Sequence, residues 1–141
     1  MVKLSKAYYS EVTKFLRMEP KSRPLLELKK ADSIEENFQN ETLRPILKLQ
    51  NDLIITLAQE FLKNKNVSWE KIKEKNPLQW LSLNIKRDLP FKNLLIGMVI
   101  GQFNGEELKE YLSFQKEMNK RIINMMTERI VNHYKTPINI F

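Results

Sequence analysis

Apolar side chains recur along this chain at intervals of three and four residues, the repeat of α-helices that each bury one face. The clearest run lies between Thr42 and Lys65, where Leu43, Ile46, Leu47, Gln50, Leu53, Ile54, Leu57, Ala58, Phe61 and Leu62 keep the repeat. Leu49 and Ile55 widen the apolar face, which predicts a central helix with neighbours on more than one side. Thr42 is the expected N-cap. It places Pro45 at N3, where the missing N–H would have no intrahelical partner in any case. A second long helix is expected from Asn104 to Tyr134. Its apolar set is Leu108, Tyr111, Leu112, Met118, Ile122, Met125, Met126 and Ile130, and Pro137 ends it.

Shorter elements fill the rest. Ser33, with Glu36 three residues on, has the form of a capping box. Ser68 is placed to cap a short helix carrying Trp69 and Ile72, and Asn76–Pro77 is a further start signal. Leu78, Leu81, Ile85 and Leu89 then line one face beside Trp80. After Pro90, the residues Phe91, Leu94, Leu95, Met98 and Val99 continue towards Gly101. Nearer the N-terminus, Tyr8, Val12, Phe15 and Leu16 suggest a helix over 5–18, ended by Pro20 and followed by a connector that Leu25, Leu26 and Leu28 could dock. Residues 1–32 are thus expected as a helix and arm, and 33–141 as a single helical domain. Glycine occurs only at 97, 101 and 105, whereas strand-rich folds need turn residues at short intervals. The expected fold is all-α: a compact bundle of two long helices of about 22 and 30 residues, with three or four shorter ones packed across them.

Composition narrows the chemistry. The 141 residues contain no cysteine and one histidine, which excludes a thiolate metal site, a cysteine nucleophile and any site built on several histidines. Basic residues exceed acidic ones by 24 to 17, a net charge of +7 that permits nucleic-acid or anionic-lipid binding without demanding it. In the last long helix the basic groups alternate with Glu106, Glu107, Glu110, Glu117 and Glu128, the pattern of a solvated face, so nucleic acid is disfavoured as a partner. Lys3, Lys6, Glu11 and Lys14 interrupt what would be the apolar core of an export signal, and no apolar run approaches the roughly 20 residues of a membrane span. A cytoplasmic location is expected.

No catalytic constellation assembles. His133 and Glu128 stand about 140° apart on a helical wheel, and a histidine near a helix C-terminus is accounted for by the helix dipole. Glu106, Glu107 and Glu110 suit the positive end of their helix. No P-loop or metal motif is present, and no metal or other cofactor is implied. A helix-turn-helix reading of the segments after Pro77 and Pro90 fails because Phe91–Ile100 is too apolar to read base edges. Gly97 and Gly101 are structural candidates: their spacing lets a neighbouring backbone approach, or marks a helix end at Gly101.

Polar groups beside the apolar stripes are the remaining candidates. Gln50 lies within one stripe and Asn119 borders another, so each needs a hydrogen-bond partner, at a helix crossing, in a polar pocket or at a subunit seam. Arg44 and Lys48 share a helix face, and Lys120 and Arg121 form a second basic pair; brought together, the four could hold an anion.

Three runs of residues carry a resemblance. They are Phe38-Gln39-Asn40-Glu41-Thr42-Leu43-Arg44-Pro45-Ile46-Leu47-Lys48-Leu49-Gln50-Asn51, then Gly97-Met98-Val99-Ile100-Gly101-Gln102-Phe103, and lastly Asn119-Lys120-Arg121, with Arg87, Asp88, Phe91 and Asn93 between. On these the chain resembles a family of small, uncharacterised all-helical bacterial proteins, over nearly three-quarters of its length. The resemblance implies no assigned activity. Such proteins are sometimes labelled glyoxalase, a label the single histidine and the lack of strand signals do not support here.

The function expected from the sequence is a non-enzymatic protein-interaction or structural module, with a second copy or another protein as partner. Apolar faces wider than one core stripe motivate it, and Met118, Met125 and Met126 would add an adaptable surface. The alternatives are an anion or nucleic-acid binder using the basic helical surface, and an enzyme with a polar pocket around Gln50 and Asn119.

Overall fold

Side-chain caps set where four of the eight α-helices among the described residues begin. In the computed structural model, which describes residues 33–136, Ser33 Oγ accepts the Glu36 amide at 3.0 Å and opens α1, Ile34–Phe38. The helix then runs without interruption through a π-helical turn, Gln39–Leu43, into α2, Arg44–Leu49. Thr42 is therefore not an N-cap; it is buried in mid-helix. Pro45 supplies the reason. A proline has no N–H to give and its ring collides with the carbonyl four residues back. Widening the preceding turn, with the Arg44 amide bonded to the Gln39 carbonyl, carries the helix past that obstacle.

Gln50, with φ −91° and ψ 9°, breaks the expected central helix a second time, and α3, Asn51–Asn64, continues beyond it. The bend resets which face is inside. Ile54, Ile55, Ala58, Phe61 and Leu62 are buried, whereas Leu53, expected in the core, is 59% exposed. Asn66 then adopts a left-handed conformation (φ 55°), which asparagine tolerates better than most residues. It leads to α4, Trp69–Ile72, whose N-cap residue Ser68 makes no side-chain cap bond.

Asn76 caps α5, Pro77–Arg87, through the Gln79 amide. Asp88, not expected as a cap, caps α6, Leu89–Ile100, by accepting the Phe91 amide at 3.1 Å. Gly101 is the C-cap of α6 and has right-handed dihedral angles. The expected 30-residue final helix is two helices, α7 (Gly105–Ser113) and α8 (Gln115–Lys135), broken at Phe114 (φ −134°, ψ 36°). Across the break Tyr111 is buried, its ring 5.5 Å from that of Phe103 and its hydroxyl donating to Asn119. Tyrosine rather than leucine thus anchors α7, and Leu108 and Leu112, expected inside, are exposed.

The class is all-α, with no strand among the described residues. The core is built on α8: Met118, Ile122, Ile123, Met126 and Ile130 are essentially inaccessible, and the helix packs against α3, α5, α6, α7 and the π turn. Thr127, buried in the same stripe, donates its hydroxyl to the Ile123 carbonyl at 2.7 Å and so leaves no polar atom of its side chain unpaired. The helix expected over 5–18 and the arm after it lie outside the described residues, as do 137–141.

At the start of α7 the capping box is complete: Asn104 Oδ1 accepts the Glu107 amide at 2.8 Å, and Glu107 Oε1 accepts the Asn104 amide at 3.0 Å. Asn104→Ala removes the first of these bonds and is expected to cost about 1 kcal/mol of unfolding free energy in urea titrations. An unchanged midpoint would mean that the α7 start has no share in the cooperative fold.

Candidate functional site

Along the C-terminal half of α8, Met125, Arg129, Asn132 and Thr136 recur at helical spacing and so lie on one side, with Glu128 and His133 as its flanks. The 140° between Glu128 and His133 is the width of this strip rather than a separation of unrelated faces. Arg44 of α2 and Asn51, the first residue of α3, stand opposite, and together these residues line an open cleft of about 420 Å³. The bend at Gln50 lies between Arg44 and Asn51.

Two guanidinium groups converge on the cleft. Arg129, half-buried, donates from Nη1 to Asn51 Oδ1 at 3.2 Å. Arg44 is exposed and donates from Nε to Asn40 Oδ1 at 2.9 Å. Burial and then the like charge of Arg44 push the Arg129 pKa below the usual arginine value, although a guanidinium stays cationic throughout the physiological range. Among the described residues no carboxylate lies within ion-pair distance of either group. Arg129 was not among the residues expected to act. Its sequence signal, one cation in a charge-alternating helix, is shared by its neighbours.

The residues singled out from sequence fall into separate places. Arg121 is held by Glu117 (3.0 Å) and by Gln39, whose Oε1 accepts from Nη1 at 2.7 Å. Lys48 and Lys120 are exposed, and no described hydrogen bond or ion pair joins the Arg44–Lys48 pair to the Lys120–Arg121 pair. Arg44 instead feels the charge of Arg129. Gln50 and Asn119 do not bond each other. Gln50 Nε2 donates to the Met98 carbonyl at 2.9 Å, at the crossing of the α2–α3 bend with α6, and Asn119 accepts from Tyr111. Gln50 Oε1 is buried with no hydrogen-bond partner among the described residues. A Cβ built on Gly97 would meet nothing within 4 Å, and one on Gly101 would touch only carbonyls of its own helix at 3.4 and 3.5 Å. Close backbone approach within this chain is therefore not the role of either glycine; Gly101 marks the helix end.

Three separated stretches of the sequence, 38–51, 97–103 and 119–121, meet in space. Phe38 packs edge-on to Phe103 (5.6 Å between centroids), Gln39 takes the bond from Arg121, and Gln50 reaches Met98.

A second, apolar feature lies between α3 and α6. Leu57, Phe61, Pro90, Phe91 and Leu94 line an open groove of about 360 Å³, floored by the parallel stack of Phe61 on Phe91 (4.4 Å, 3°). Its end is closed by Lys65, which pairs with Asp88 at 3.2 Å and covers the Phe61 ring. The Phe91 amide, and after it Lys65, hold the Asp88 carboxyl below the usual carboxylate range. On the outer side of α6, Pro90, Leu94, Gly97 and Gly101 are exposed at i, i+4, i+7 and i+11, one continuous stripe.

Among the described residues no group of three or more His, Asp or Glu side chains is placed to hold a metal ion, and no helix is long and apolar enough to cross a membrane.

Gln50→Ala is expected to cost about 2 kcal/mol or more, because it orphans the Met98 carbonyl and opens a void. Gln50→Met fills the space and also removes the unpaired Oε1, so it should cost about half as much by the same urea titration. Asp88 has a lowered folded-state pKa, so its stabilising share is complete above the unfolded carboxylate pKa of about 4 and is lost as pH falls through the folded value. The melting-temperature gap between the native protein and Asp88→Asn should accordingly be constant near neutrality and shrink in acid. A gap independent of pH would contradict this assignment.

Comparison of the chain with family models, with curated proteins and with solved structures finds no match to any of them.

Proposed function

We propose that the protein is a cytoplasmic protein-interaction module that pairs with a second copy of itself through the outer stripe of α6 and the adjoining groove on α3. The observation that carries this reading is the character of α6. Its sequence, LPFKNLLIGMVI, contains one charged residue and is apolar on every side. A helix of that kind is ordinarily buried all round. Here only Leu95, Ile96 and Val99 are buried, while Leu89 and Leu94 are 60% and 48% exposed.

The glycines fit the same reading. With nothing of its own chain near the Gly97 position, a second helix can lie close against the Gly97–Gly101 edge. Under two-fold symmetry the stripe would meet its own copy, and Leu94 of each chain could enter the Phe61–Phe91 groove of the other. The Lys65–Asp88 pair at the end of the groove would form part of a polar rim.

Light scattering at about 0.5 mM chain should give twice the chain mass, a regime that captures even a weak dimer. Leu94→Lys places a charge on an exposed position, so it should return the mass to one chain while leaving the helical circular dichroism unchanged. A native protein that stays monomeric at that concentration would refute the pairing.

A further inference from the structure

The cleft beside α8 has a chemistry that self-pairing through α6 does not use. Two cations face one space, and like charges brought together out of bulk water repel. Each arginine is oriented by a neutral amide rather than by an acid: Arg129 by Asn51 and Arg44 by Asn40. An amide oxygen fixes a guanidinium without neutralising it. Because Asn51 Oδ1 is engaged by Arg129, the Asn51 NH₂ remains as a further donor. Asn132 adds a side chain able to donate, the Thr136 hydroxyl proton is already given to the Asn132 carbonyl at 2.8 Å, and Glu128 is the one acid on the lining among the described residues. Such a lining has an excess of donors and of positive charge, which calls for an acceptor-rich anion.

We infer that this cleft is a binding site for a phosphate monoester, its phosphoryl group held between Arg44 and Arg129 and its organic part lying towards Met125. A phosphate monoester brings close to two negative charges and three acceptor oxygens, enough to neutralise both guanidinium groups, whereas a carboxylate brings one charge. The planar forks of two arginines suit that geometry better than ammonium groups would. The cleft, about 420 Å³ and open, has room for an organic substituent beside the phosphoryl group. Met125, at its inner edge, is nearly buried and supplies an apolar surface. Glu128 opposes the anion and would limit affinity.

The test is a ¹H–¹⁵N NMR titration of the full chain with inorganic phosphate, with phenyl phosphate and with acetate, all at one ionic strength. Both phosphates should shift resonances around Asn51, Arg129 and Asn132 in a saturable way below about 10 mM, and acetate should not. Arg44→Gln and Arg129→Gln should each weaken phosphate binding about tenfold, the scale of one lost charge-assisted bond pair. Glu128→Gln should tighten it, and Lys120→Gln, which removes the same charge elsewhere on α8, should change nothing. Arg44 is exposed, so its variant keeps the test valid if Arg129→Gln does not fold; its melting temperature should be unchanged or raised, since a repulsion is relieved. Absence of saturable shifts would overturn the site. Equal losses in Arg44→Gln and Lys120→Gln would overturn it too, by assigning the binding to diffuse surface charge. Neither result bears on the pairing through α6.

Discussion

The buried side of α8 is the constraint on which the other elements depend. Met118, Ile122, Ile123, Met126 and Ile130 lie on that side with almost no accessible surface, and five other segments pack against it. Truncating any one of such side chains typically costs about 2–5 kcal/mol, a large part of the net stability of a small domain. With its rotation about its axis set in this way, α8 must present its remaining side chains at the margins. Arg121 then falls beside the π turn and Arg129 beside the start of α3. The polar cleft is a consequence of how the apolar stripe is seated.

Against this axis the chain from Ser33 to Asn64 is wrapped as one helix with two faults. The π turn passes Pro45, and the bend at Gln50 redirects α3. Both faults lie next to residues that face α8. Gln50 holds the bend by one bond to Met98 and leaves its other polar atom unpaired, an arrangement that costs stability yet fixes α6 relative to α3.

The two surface features share no lining residue and differ in kind. One is a stripe of leucine, proline and glycine on a helix with a single charge, suited to exclude water against another apolar surface. The other collects guanidinium and amide groups, suited to replace the water around an anion. Their separation means that occupation of one need not alter the composition of the other.

Much of the architecture was legible in the sequence because it is local. The helical repeat, the caps at Ser33 and Asn76, the helix start near Asn104, and the requirement that a glutamine inside an apolar stripe find a partner can all be read from residues within about one turn of each other. The breaks were not legible. Leu53, Leu108 and Leu112 continue the repeat, and only the bend at Gln50 and the break at Phe114 turn them outward. Nor could the sequence choose Arg129 over Arg121 or Lys120 as the companion of Arg44. All three are cations on one helix, and the choice depends on how α8 is rotated in the core. The deciding bonds join residues 78 and 82 positions apart (Asn51 with Arg129, Gln39 with Arg121), and no local propensity encodes such distances. All-helical character was determined by the spacing of apolar side chains; which polar groups meet was decided only when those side chains packed.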